Sequence, residues 1–162
     1  MPELPDVELF KRLVKRHCLG RAINKVVVTD RESLEGASPA SLQRRLKDQH
    51  ISACRRHGKV LFIEANSGAA LAMHFGTNGS LLYVRRDQQE PPYVRLRLDF
   101  VEGDRLAYLN PRRIGHVHLV KGREAFVFDT GLGPDALDPS FDELAFATAL
   151  GDRKRAITVS QS

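Results

Sequence analysis

Hydrophobic and polar positions along the chain fall into two regimes. Across residues 5–19, Val7, Phe10, Leu13, Val14 and Cys18 recur at helical spacing and predict an amphipathic helix. Pro5 suits a first helical turn, Asp6 and Glu8 complement the helix dipole, and Gly20 is placed to stop it. A β-branched run over 23–29 then reads as a strand. Ser38-Pro39 opens a short second helix with Leu42 and Leu46 as its buried stripe.

From about residue 51 the period changes to two. Candidate strands cover 51–55, 60–65, 71–75, 80–85, 94–100, 105–109 and 116–120, with tight turns at Asn66-Ser67-Gly68 and Glu102-Gly103-Asp104. Val94, Leu96, Leu98 and Phe100 alternate with Arg95, Arg97 and Asp99, so that strand has one buried and one wet face. Ser140 and Glu143 form a capping box for a last helix reaching about residue 150. The pattern predicts an α+β, mainly β fold: an antiparallel β-sandwich or flattened barrel, flanked by an N-terminal helix and a second helix.

The 162 residues suffice for one well-buried core. A balance of 25 basic to 20 acidic residues leaves a net charge of +5, which favours a polyanionic partner and serves equally as a solvated surface. Two cysteines are too few for a disulfide scaffold or a four-cysteine zinc site, and the charged start carries no signal-like or membrane-spanning run. These features set the expectation of a cytoplasmic protein without a membrane partner or a metal. No heptad or exposed apolar helix face argues for a homo-oligomer.

Candidate chemistry begins at Met1-Pro2-Glu3-Leu4-Pro5-Asp6. With Met1 cut off, Pro2 becomes a secondary amine, and an α-amino group near pKa ~8 has a far larger neutral fraction than a lysine near ~10.4. Such amines attack aldehyde carbons to give Schiff bases, although a proline here also serves simply to enter a helix. In Arg55-Arg56-His57-Gly58-Lys59, cations flank a glycine ahead of an apolar strand, a pattern that fits a phosphate-contacting hairpin or a solvated strand end. The loop His74-Phe75-Gly76-Thr77-Asn78-Gly79-Ser80 has two glycines three apart, so its backbone could approach a ligand closely or merely connect two strands. Asn110-Pro111-Arg112-Arg113-Ile114-Gly115 holds two arginines at a tight turn, suited to phosphate or to a gap in a base stack, with Ile114 as a wedge or a core residue. Gly131 to Leu137 is a turn-rich connection without chemistry of its own.

Taken in order, Pro2-Glu3-Leu4-Pro5, Gly58-Lys59, the HFGTNGSL loop, the NPRRIG turn and LGPDAL resemble the formamidopyrimidine-DNA glycosylase family. The resemblance covers nearly the whole chain and implies a bifunctional DNA glycosylase/AP lyase acting on oxidised purines in double-stranded DNA. By that resemblance Pro2 is the nucleophile, Glu3 the adjacent general acid/base, and Lys59 a phosphate-contacting residue that assists catalysis. His74 and Arg113 are then phosphate contacts, and Arg112, Thr77 and Ile114 fill the space vacated by the flipped nucleotide. Four positions depart from the family pattern: Thr77 stands where Met is common, Ile114 for Phe, Asp6 for Glu and Asn110 for Asp. The last departure removes a carboxylate close to the two arginines.

Residues 1–135 are expected to form the catalytic-type sandwich domain. Residues 136–162 are expected to supply a C-terminal helix and the lead-in to a helix–two-turn–helix and zinc-finger region that the family has and this sequence lacks, leaving no cofactor in the chain. The competing reading is a catalytically weak DNA-binding module that uses Arg55, Arg56, Arg112 and Arg113 on phosphates.

Overall fold

The computed structural model describes residues 2–121. Helix α1 spans Leu4–His17 and is followed by strand β1 at Ile23–Val28, a 3-10 turn at Arg31–Ser33, strand β2 at Leu34–Glu35 and helix α2 at Pro39–Leu46. Seven strands complete the fold: β3 at Ile51–His57, β4 at Val60–Ala65, β5 at Ala70–His74, β6 at Ser80–Val84, β7 at Val94–Phe100, β8 at Arg105–Leu109 and β9 at His116–Val120. The expected helix at 140–150 and the 136–162 segment lie outside the described residues.

The strands form two sheets, one ordered β1-β7-β8-β6 and the other β2-β9-β5-β4-β3. Their facing sides make the core. Leu61, Ile63, Leu71 and Met73 of the larger sheet join Leu81, Leu96, Leu98, Phe100, Leu106 and Tyr108 of the smaller in a single buried cluster. Along β7 every second residue is buried, as its alternating sequence predicts. Pairing is antiparallel except between β2 and β9, which run parallel. Two residues carry too little periodicity to announce a strand, so β2 is absent from the sequence reading.

Both helices cover the sides of the sandwich. α1 buries Val7, Val14 and Cys18 and sits against β3, β4 and β6, spanning from one sheet to the other. α2 packs on β1 through Leu42 and Leu46, and the Gln43 side chain accepts the Val26 N–H at 2.8 Å, satisfying an edge-strand donor. Each starts with a serviceable cap. Ser38 and Ser41 exchange side-chain and backbone hydrogen bonds at α2, while at α1 the Glu3 N–H donates to the Asp6 carboxylate at 2.8 Å.

Most strand boundaries agree with the sequence reading, and the largest shift is informative. β3 continues through Arg56 and His57, which alternation sends to opposite faces. Arg56 faces the interior opposite Leu61, with its side chain 3% exposed, and its Nε donates to Glu8 of α1 at 2.7 Å. Its Nη1 donates to the Gly58 carbonyl at 2.9 Å. The role of Arg56 as a surface phosphate contact is therefore corrected: it is a buried tie between α1 and the β3–β4 hairpin. Arg55, on the other face, is half exposed and pairs with Glu64 at 3.4 Å.

Candidate active site

Register brings the predicted segments to one end of the larger sheet. Val60 pairs with His74 and His74 with His116, so the β3–β4 hairpin, the loop after β5 and the start of β9 lie side by side. The N-terminus of α1 joins them through the Arg56–Glu8 tie one turn along the helix. Here Lys59 Nζ meets Glu3 Oε2 at 2.8 Å, with both side chains open to solvent. Pro2 is half-buried immediately before this pair, at the positive end of the α1 dipole. Pro2, Glu3 and Lys59, assembled from sequence positions 2 to 59, form one group.

The glycine loop and the arginine turn form a second unit, locked to the first through His74. Gly76 has φ of +61°, and a Cβ there would lie 2.7 Å from the Gly115 nitrogen. A Cβ on Gly115 would collide with the His74 carbonyl, the Tyr108 hydroxyl and the Asn110 amide. Gly76 and Gly115 therefore allow the two loops to touch each other, while Gly79, the other glycine of the loop, closes on the Phe75 carbonyl of its own turn. Tyr108 OH donates to the His74 carbonyl at 2.7 Å and accepts from Asn110 Nδ2 at 3.3 Å. Asn110 is fully buried, its carbonyl accepts from Arg95 Nε at 2.9 Å, and its Oδ1 has no partner among the described residues.

His74 is exposed at this junction, and its Nδ1 accepts the Gly76 N–H at 3.2 Å. That bond assigns the ring proton of the neutral imidazole to Nε2, leaving Nε2–H as an outward donor. Desolvation, aided by the neighbouring His116, His118 and Lys59 charges, holds the His74 pKa below the ordinary histidine value. Glu35 of β2 sits against His116 Nε2 at 3.6 Å and His118 Nε2 at 3.2 Å.

Arg112, Arg113 and Ile114 are all exposed on the turn, and Thr77 is half-buried with its hydroxyl donated to Asn78 Oδ1 at 2.9 Å. Arg113 takes φ of +57° and its Nε lies 3.2 Å from Asp30 Oδ2. The carboxylate that Asn110 does not supply thus arrives from the end of β1. Asp30, Tyr108 and Glu8 escape the sequence reading. The first two are far in sequence from the residues they hold, and Glu8 looks like an ordinary dipole-complementing acid.

A family model for the formamidopyrimidine-DNA glycosylase N-terminal domain matches residues 1–117. The chain belongs to that family. It is 36% identical over 142 residues to the formamidopyrimidine-DNA glycosylase of Stutzerimonas stutzeri, covering 88% of this chain and 52% of the relative. With the Arabidopsis thaliana formamidopyrimidine-DNA glycosylase it shares 30% identity over 97% of this chain and 44% of the relative. The fold is similar to that of Lactococcus lactis Fpg in its complex with DNA containing N7-benzyl-Fapy-dG, at a TM-score of 0.73 and 22% identity over 80% of this chain and 48% of that one. A complex of LlFpg with THF-DNA and an inhibitor gives 0.75 and 23% over 82% and 50%. The chain spans about half the length of the curated relatives it matches.

Family membership raises the question of zinc. The chain's two cysteines, Cys18 and Cys54, are both buried in the core, where burial pushes the Cys18 thiol up to about 12. They do not fit a zinc finger, and among the described residues no cluster of three or more His, Cys, Asp or Glu is arranged to hold a metal ion. Among the same residues, no helix is long and apolar enough to cross a membrane.

Proposed function

We propose that this chain carries the catalytic half of a DNA base-excision glycosylase/AP lyase acting on oxidised purines in double-stranded DNA. The observation that carries the reading is the Lys59–Glu3 contact of 2.8 Å beside Pro2, at the N-terminus of α1. Removal of Met1 frees the Pro2 nitrogen. The positive end of the helix disfavours its protonated form, which keeps more of it as free amine at neutral pH. Its lone pair attacks C1′ of the damaged nucleotide and the glycosidic bond breaks, the base leaving with that electron pair.

Glu3 takes the proton that the Pro2 nitrogen loses on attack and passes it to the sugar ring oxygen as the C1′–O4′ bond opens, leaving an iminium between Pro2 and C1′. Loss of a C2′ proton and β-elimination then expel the 3′ phosphate, and a second elimination expels the 5′ phosphate. Lys59 exchanges Glu3 for the phosphate beside the lesion, releasing the carboxylate for proton transfer. His74, through its Nε2–H, and Arg113 hold backbone phosphates, while Arg112, Thr77 and Ile114 enter the space left by the extruded nucleotide. That entry offsets part of the few kcal/mol that unstacking costs. Such a substrate implies work in the compartment that holds the genome, which for a bacterial-type enzyme is the cytoplasm. Residues 1–135 form the catalytic-type domain in this reading, with 136–162 leading toward the second DNA-holding module of the family.

The test is borohydride trapping of Met1-processed protein on duplex DNA with an abasic site, with intact mass checking the loss of methionine. A covalent adduct is expected for the wild type and for Lys59→Ala, and peptide mapping should place it on the Pro2 nitrogen in both. An adduct mapped to a lysine would move the nucleophile to another amine and overturn the assignment.

A further inference from the structure

We propose that Asp30 is the positioning residue for Arg113, holding its guanidinium in the orientation that grips a DNA phosphate; the proposal rests on the DNA-binding reading above. Asp30 lies two residues past Val28, the end of β1, at the start of the 3-10 turn, and its side chain is 8% exposed. Each of its oxygens has work to do. Oδ1 accepts the Glu32 N–H at 3.2 Å, and Oδ2 accepts the Ser33 hydroxyl at 3.2 Å while facing Arg113 Nε at the same distance. Thr29 before it is tied to β7, its N–H donating to the Arg95 carbonyl at 3.0 Å and its hydroxyl to the Val94 carbonyl. The carboxylate is therefore fixed to the sandwich rather than to the turn it touches.

The turn itself is held from the other side. The Arg113 N–H reaches back to the Asn110 carbonyl at 3.3 Å, and that carbonyl also accepts Arg95 Nε. With φ of +57°, Arg113 directs its side chain across to Asp30 and keeps it 55% exposed. Asp30 engages Nε alone, so the two terminal nitrogens remain for bidentate pairing with a phosphate. An acid placed among phosphate-binding groups ordinarily opposes DNA by repulsion. A rigid acid on the inner edge of a guanidinium instead removes the rotamer freedom that the arginine would otherwise lose on binding.

The two effects predict opposite signs. Dissociation constants for duplex DNA with a stabilised abasic-site analogue, measured by fluorescence anisotropy at fixed salt, separate them. Asp30→Ala is expected to weaken binding roughly fivefold, the weight of one immobilised rotamer-rich side chain. Asp30→Asn keeps one oxygen, which can serve Arg113 Nε or the Glu32 N–H but not both, and carries no charge, so it should recover only part of the affinity. In an Arg113→Gln background, Asp30→Ala should change nothing. Tighter or unaltered binding by Asp30→Ala overturns the proposal, as does an undiminished loss in the Arg113→Gln background. If Asp30→Ala unfolds, the comparison of Asp30→Asn across the two backgrounds still decides, because any effect must vanish without Arg113. A wild-type chain that binds no DNA sinks the functional reading and this role together; normal wild-type binding with an indifferent Asp30 sinks this role alone.

Discussion

Asn110 shows how one atom decides whether a substitution is tolerated. Its amide Nδ2 donates to Tyr108 OH, which has already given its own hydrogen to the His74 carbonyl. An aspartate at this position, frequent in the family, presents a carboxylate to a phenol oxygen that has no proton left to offer. Within a fully buried position, Asn110→Asp is expected to cost about 3 kcal/mol at pH 7.5, the upper part of the range for an unsatisfied buried polar group. Burial raises the folded-state pKa of that carboxyl above its unfolded value. Stability is then present below the unfolded pKa and lost as pH rises through the folded one. Thermal melts of Asn110→Asp against wild type should therefore show a deficit that shrinks as pH is lowered toward 4; a deficit independent of pH would mean that the new acid has found a cationic partner.

At the scale of elements, the site depends on two loops being close enough to share hydrogen bonds. Gly115→Ala would drive a methyl into the His74 carbonyl and the Tyr108 hydroxyl. The expected cost is about 2 kcal/mol, typical of overpacking. Because His74 is part of the clamp, DNA affinity should fall beyond what the lost stability explains. Anisotropy titrations well below the melting temperature check this, and unaltered affinity would show that the two loops act independently. The strands that carry these loops were legible in the sequence because alternation over five to seven residues is a long signal. So were the loops, because glycine, proline and paired arginines punctuate the chain. What sequence could not show is which loop touches which. A glycine such as Gly76 fits a turn that approaches a ligand and a turn that approaches its neighbour, and only β5–β9 register brings His74 opposite His116. β2, the one parallel partner, is too short for any periodicity, yet it delivers Glu35 to the two outer histidines.

At the scale of the whole molecule, the proposed function asks which of the 25 basic residues would meet DNA. Arg55 and Arg56 are neighbours in sequence and equivalent in composition, but strand alternation separates them. One is buried against Glu8, and the other lies on the opposite face beside Glu64. Breaking the buried pair with Arg56→Met should loosen α1 from the hairpin and cost about 2 kcal/mol, below the usual range for buried pairs because Glu8 keeps partial solvent access. Among the described residues, Lys59, Arg112 and Arg113 are exposed cations on the segments that make the candidate site. His74, with its pKa held low, contributes as a neutral donor near pH 7.5. Two charged phosphate contacts, Lys59 and Arg113, at about 0.9 per charge give a log–log salt slope of about −1.8, or roughly a 12-fold loss of affinity between 50 and 200 mM salt. As pH falls, a phosphate beside His74 favours its charged form, so binding should take up a proton and the slope should steepen by about one unit. Anisotropy titrations over salt at pH 7.5 and pH 5.5 test both. A slope near about −3.6 at pH 7.5 would return Arg55 and Arg56 to the DNA, which the buried position of Arg56 forbids. A slope indifferent to pH, or one whose pH dependence survives His74→Gln, would remove His74 from the phosphate-binding set.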